Sequence, residues 1–246
     1  MSTAPLVIAH RGNSSVAPEN TLAAFEAAWR AGADMVELDI HLSSDGQAVV
    51  IHNDTLDETT DSTGPVSVRT ADELRQTDAG SWFSPAFAGQ RLPLLADVLA
   101  WLAERPQIGL LLEFKGEWDP APVSTVVDQI EQERISGRVV AQSFAVDTVR
   151  ALADVAPDLP RGLLIDALQD STFTTCAQLK VAQCNPSGRI LLETPQALAQ
   201  IRERGMQAMV WTANEPQHWD GLVQLGADGI ITDRPDRLRG FLAGRG

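Results

Sequence analysis

Apolar and polar positions alternate along this chain in two rhythms. Short apolar runs read as buried strands: "LVIA" (6–9), "MVELDI" (35–40), "AVVIH" (48–52), "IGLLLEF" (108–114), "RVVAQSF" (138–144), "GLLID" (162–166), "KVAQC" (180–184), "AMVW" (208–211) and "DGIIT" (228–232). Between most of them lie segments of helical period. In "ENTLAAFEAAWRAG", Leu22, Phe25 and Trp29 recur at three- and four-residue steps, and Gly32 marks a stop. "TPQALAQIRERG" opens on a Thr cap and a Pro and closes at Gly205, and "LADVLAWLAERP" and "EPQHWDGLVQLG" follow the same plan.

Repeated β-α alternation predicts a parallel sheet, and the length suits an α/β chain closed into a (β/α)8 barrel. An open doubly wound sheet is the alternative, but no glycine-rich nucleotide loop supports it. Residues at about 44–92 break the rhythm and are rich in Asp, Thr, Ser and Gly. They are too long for an ordinary βα loop, so they are read as a small insertion after strand 2, packed over one barrel end. The expectation is one domain spanning 1–246.

The chain is 44% hydrophobic, enough for a large core, and carries a formal charge of −14. That charge argues against nucleic acid or an anionic membrane as partner. No apolar run approaches the ~20 residues of a membrane span, so no stable anchor is expected. The N-terminal residues lack the pattern of a secretory signal, which points to a cytoplasmic protein. Cys176 and Cys184 are read as free thiols.

In such a barrel the C-terminal strand ends line the catalytic mouth, so polar residues that finish an apolar run are the candidates. The first run delivers His10 and Arg11. The second carries Glu37 and Asp39, two apart and therefore co-facial, with His41 on the same face in a supporting place. "VVIH" delivers His52, "LLLEFK" delivers Glu113 and Lys115, and the last runs bring Trp211 and Asp233. Three carboxylates aimed at one mouth need a cation, and such a ligand set favours Mg²⁺ or Ca²⁺, with Mn²⁺ also suited. Two strand-end histidines suit acid–base work, and Arg11 and Lys115 would meet a phosphate. His218, on a polar helix position, is read as surface.

These residues, taken in order, resemble the glycerophosphodiester phosphodiesterases. The resemblance rests on "HRG" (10–12), "PENT" (18–21), "ELD" (37–39), "DG" (45–46), "H-x-x-TL" (52–56), "TT" (59–60), "EFK" (113–115), "WT-x-N" (211–214) and "GADGIITDRP" (226–235). It implies metal ligation by Glu37, Asp39 and Glu113, acid–base roles for His10 and His52, and substrate contacts from Arg11, Lys115 and Trp211. It implies release of sn-glycerol 3-phosphate and an alcohol from a small glycerophosphodiester, as in the short cytosolic bacterial-type enzymes. A lysophospholipase D-like enzyme and a catalytically silent phosphate-binding barrel are the rival readings. Two departures stand out: Asn53 where the pattern has Asp, and Glu58 where it often has Arg. Asn53 is expected to face away from His52. Asn20 is expected to cap a helix, and Gly12 to turn the chain and leave room for a phosphate.

Overall fold

The computed structural model describes residues 4–245. Its strands are β1 (Leu6–Ala9), β2 (Met35–Leu42), β3 (Ala48–Val50), β4 (Gly109–Phe114), β5 (Val139–Ser143), β6 (Arg161–Ile165), β7 (Gln183–Pro186), β8 (Met209–Val210) and β9 (Gly229–Thr232). All pair in parallel in the order β7-β6-β5-β4-β2-β1-β9-β8, except β3, which lies antiparallel on β2. The two ends of this series meet. Cys184 N–H donates to Gln207 O at 2.9 Å, and parallel bridges join Gln183 to Gln207 and Ser187 to Trp211. The wall is thus a nearly closed barrel of parallel strands, and the open-sheet alternative falls.

Strand side chains alternate, and the two sets have different neighbours. One set, including Val7, Ala9, Val36, Leu38, Leu110 and Leu112, faces the helices and joins the main core. The other set faces inward. Ile8, Leu111, Met209 and Ile231 form a separate buried cluster, with Met35 and Val140 packed on it. This plug fills the barrel floor with apolar side chains. Two residues further along the same strands, with the same parity, come His10, Glu113, Trp211, Asp233, Glu37 and Gln142. The pleat therefore lifts polar groups to the mouth directly above a dry plug.

The helices complete the alternation: α1 (Leu22–Arg30), α2 (Ala71–Leu74), α3 (Leu95–Ala103), α4 (Pro120–Gln132), α5 (Val146–Val155), α6 (Thr172–Gln178), α7 (Gly188–Glu193), α8 (Ala197–Glu203), α9 (Pro216–Leu225) and α10 (Pro235–Ala243). Thr194 does not cap α8 as expected. It ends α7, and α8 starts behind Gln196 with no side-chain cap. Gly226 ends α9 in the left-handed region, which a side chain would strain.

Residues 44–92 hold β3, α2 and their own apolar cluster of Val49, Ile51, Leu56, Val66, Leu74, Ala79 and Leu92. α2 has a reciprocal cap between Thr70 and Glu73. Asp78 gathers the turn that follows, accepting from the backbone N–H groups of Gly80, Ser81 and Gly89 at 2.8, 2.8 and 2.7 Å.

Candidate active site

A cavity of about 110 Å³ opens at the barrel mouth, lined by His10, Arg11, Glu37, Asp39, His52, Glu113, Lys115 and Trp211 among others. These eight residues, each singled out in the sequence, share this one space, while His41 and Asp233 stand outside it, Asp233 lining a neighbouring cavity with His10 and Arg11. Glu37, Asp39 and Glu113 are buried, each offering a carboxylate oxygen within 4.8 Å of the other two. Trp211 is fixed by its Nε1–H, which donates to Asn185 O at 2.9 Å, and by an edge contact with Phe144 at 5.3 Å between ring centres.

The turn after β1 explains the "HRG" sequence. Arg11 and Gly12 both have positive φ, 55° and 85°. This unusual turn aims the Arg11 N–H at Glu37 Oε2, 3.0 Å away. The space beside Gly12 belongs to α1 and not to a phosphate: a Cβ there would lie 2.6 Å from the Ala24 backbone carbon. Asn20 corrects another expectation. Thr21 is the cap of α1, its Oγ1 accepting from Ala24 N–H at 3.3 Å. Asn20, at φ 56°, instead donates its amide to Asp39 Oδ2 at 3.0 Å.

Electrostatics set the carboxylates apart. Burial raises Glu37 well above the ordinary carboxylate range, and Asp39 and Glu113 push it further. Burial and then Asp39 push Glu113 up to about 7. Asp39 is also buried, but Arg11, Lys115 and His52 outweigh that and hold it below its ordinary value. Lys115 Nζ lies 2.8 Å from Glu113 Oε1 and 3.6 Å from Asp39 Oδ1, and Arg11 Nε lies 3.4 Å from Asp39 Oδ2. Even so, Glu113 Oε1 is buried without a properly angled hydrogen bond. Three carboxylates face two cations, with one acceptor unsatisfied. The donor set is all oxygen, and it fits a hard divalent ion.

The two histidines have different backing. His10 Nδ1 meets Asp233 Oδ1 at 2.6 Å. Burial pushes Asp233 upward, but its bonds to His10, Asn214 and Ser14 prevail and keep it below its ordinary value, so it is a carboxylate. His52 Nδ1 meets the Asn53 amide oxygen at 2.6 Å. Burial holds His52 below the usual imidazole value, with Arg11 and Lys115 adding to that against the pull of Asp39. His52 is therefore neutral at neutral pH.

The glycerophosphoryl diester phosphodiesterase family model matches residues 10–237, from the first histidine to beyond the last strand. The chain belongs to this family. A glycerophosphodiester phosphodiesterase of Caldanaerobacter subterraneus is 33% identical over 235 residues, covering 95% of this chain and 96% of its own. A crystal structure of the Agrobacterium tumefaciens glycerophosphodiester phosphodiesterase is 30% identical, covers 97% of this chain and 99% of that one, and superposes with a TM-score of 0.84. The structure of an Oleispira antarctica phosphodiesterase in complex with sn-glycerol 3-phosphate is 27% identical, covers 98% and 97%, and has a TM-score of 0.90.

Within this phosphodiesterase fold the pleat accounts for Glu37, Asp39, Glu113 and His10, but His52 arrives differently. It lies beyond β3, held by Ile51 N–H donating to Asp39 O at 3.1 Å and by His41 Nε2 on His52 O at 2.9 Å. His41 thus has the supporting place expected of it, and His218 is exposed on α9. Asn53 does not face away: the strand ends at Val50, so alternation no longer governs residues 52 and 53. Four participants went without a role in the sequence. Asp233 follows the strand-end rule, and Gln142, buried at the mouth, follows the same parity. Glu19, which bonds Arg11 at 2.8 Å, and Asn214, which bonds Asp233 at 2.5 Å, lie in loops with no periodicity to reveal them.

Proposed function

We propose that this phosphodiesterase hydrolyses small glycerophosphodiesters to sn-glycerol 3-phosphate and an alcohol, using a divalent ion and two histidines. The observation that carries this reading is the buried carboxylate triad sharing one cavity with two differently backed imidazoles. The product held in the Oleispira structure supports the substrate class. Glu37, Asp39 and Glu113 would hold Mg²⁺, Ca²⁺ or Mn²⁺, which when bound supplies a Lewis acid for phosphate oxygens and acidifies a nearby hydroxyl.

Arg11 and Lys115, both at the cavity wall, orient the phosphate and stabilise the charge that builds on its oxygens. His52 is neutral, and Asn53 occupies its Nδ1, so Nε2 is the lone pair left to accept a proton. It removes the proton from the attacking hydroxyl. His10, held through its Nδ1 by Asp233, gives a proton to the departing alcohol oxygen. The attacking hydroxyl is the substrate's own, next to the phosphate-bearing carbon. Intramolecular attack can be worth roughly 7–11 kcal/mol in good geometry. A cyclic phosphate then opens to water as the histidines exchange roles.

One domain over 1–246 is read as the working unit, with the 44–92 segment bringing His52 to the mouth. A cytoplasmic location fits the acidic chain, and no described helix is long and apolar enough to cross a membrane. The test is turnover of glycerophosphocholine followed by ³¹P NMR, beside lysophosphatidylcholine and a 2-deoxyglycerol analogue. Glycerol 3-phosphate from the first substrate is expected, with little turnover of the analogue. Cleavage of the lysolipid alone would move the enzyme to the lysophospholipase D class. Equal cleavage of the deoxy analogue would sink the cyclic route.

A further inference from the structure

The side chains behind His52 form a chain that ends outside the catalytic cavity. His52 Nδ1 lies 2.6 Å from Asn53 Oδ1, and Asn53 Nδ2 lies 2.5 Å from Glu58 Oε2. Glu58 is exposed, and neither it nor Asn53 lines the cavity. We infer that Asn53 and Glu58 are positioning residues that set the tautomer of His52, and that the polarity of this chain is dictated from its solvent end.

The logic is one of donors and acceptors. A carboxylate has acceptors only, so the group Asn53 turns toward Glu58 must be its NH₂. The amide oxygen then faces His52. An amide oxygen can only accept, so His52 Nδ1 must carry the hydrogen. The bare nitrogen is Nε2, the one a substrate hydroxyl needs. Asn53 alone would not secure this, because an amide presents either face at similar cost; Glu58 removes the ambiguity. His10 reaches the same tautomer without such a device, since Asp233 is an acceptor whichever way it turns.

The same donor–acceptor logic ties the residue at 53 to the residue at 58. An Asp at 53 accepts from His52 and could accept from an Arg at 58. An Asn at 53 beside an Arg would be turned round, oxygen toward the guanidinium, with its NH₂ facing His52. The exchange at one position makes sense only with the exchange at the other.

This inference rests on the base role proposed for His52, but it can be tested apart from it. Long-range ¹H–¹⁵N correlation spectra of His52 in the unaltered protein should show hydrogen on Nδ1; hydrogen on Nε2 would overturn the inference with no variant made. In kinetics with glycerophosphocholine, Glu58→Arg should lower kcat at least about tenfold with KM little changed, the pattern of a mis-set tautomer. Asn53→Asp combined with Glu58→Arg should bring kcat back to within about threefold. Melting curves show whether each variant folds, and Glu58 is exposed enough to tolerate Arg. A fully active Glu58→Arg protein, or a folded double variant as slow as the single, would overturn the inference. Full turnover by His52→Ala would instead remove the base role while leaving the tautomer measurement valid.

Discussion

His10 and His52 line one cavity, one backed by a carboxylate and one by an amide. Removing either imidazole should therefore remove one proton transfer and not the fold. His10→Ala and His52→Ala are each expected to lower kcat about 10²-fold or more, with unchanged circular dichroism. Near-normal kcat in either would take that histidine out of the mechanism. Asn20 gives a sharper residue-level test, because its side-chain amide bonds Asp39 alone, and its backbone bond to Arg11 O survives a change of side chain. Asn20→Gly keeps the positive φ and deletes the amide, so it should weaken metal binding roughly 10–100-fold in calorimetric titration with Mn²⁺. Unaltered affinity would mean that Asp39 needs no such support.

These residues also mark how far a sequence can be read. Glu37, Asp39, Glu113 and His10 were legible because strand parity alone points them above the plug. Asn20 and Asn53 were not, because both lie where regular structure has stopped. Asn20 looked like a cap because Asn is a good cap, yet its neighbour Thr21 takes that place and frees the amide for the site. Asn53 was misread by extending alternation three residues past the end of β3.

At the scale of elements, the turn from β1 into α1 joins catalysis to packing. Gly12 has positive φ and faces the Ala24 backbone. Gly12→Ala adds strain and overpacking together, costing roughly 2–4 kcal/mol. For a chain of this size that corresponds to a Tm lower by roughly 4–16 °C. A melting curve that matches the parent would show that α1 yields without cost. The long insertion was recognised from its broken rhythm, while its internal organisation was not, because turns held by side-chain oxygens leave no period. Asp78 is such an anchor: donors from Ser81, Gly89 and Gly80 hold its carboxyl far below the ordinary range. A lowered value means the stabilisation is complete above the unfolded-state pKa, about 3.9, and is lost as pH falls through the folded value. Asp78→Asn should thus melt earlier than the parent at pH 7, with the gap closing as pH drops below about 4. Parallel melting profiles from pH 7 to pH 3 would show that the charge at Asp78 is irrelevant.

For the molecule as a whole, the question is how a chain of charge −14 draws in an anionic phosphodiester. Barrel closure places the cations Arg11 and Lys115 at the mouth, but Arg11 is engaged by the buried Asp39 and by Glu19, and Lys115 by the buried Glu113. A divalent ion among Glu37, Asp39 and Glu113 would turn that balance in favour of a phosphate and would satisfy the buried Glu113 oxygen. The decisive measurement is glycerophosphocholine turnover by protein stripped with EDTA, verified metal-free by elemental analysis, then titrated with Mg²⁺, Ca²⁺ or Mn²⁺. Turnover should vanish on stripping and return as about one ion per chain is bound, with glycerol 3-phosphate as product. Full activity in the verified metal-free protein would mean that the carboxylate triad serves another purpose.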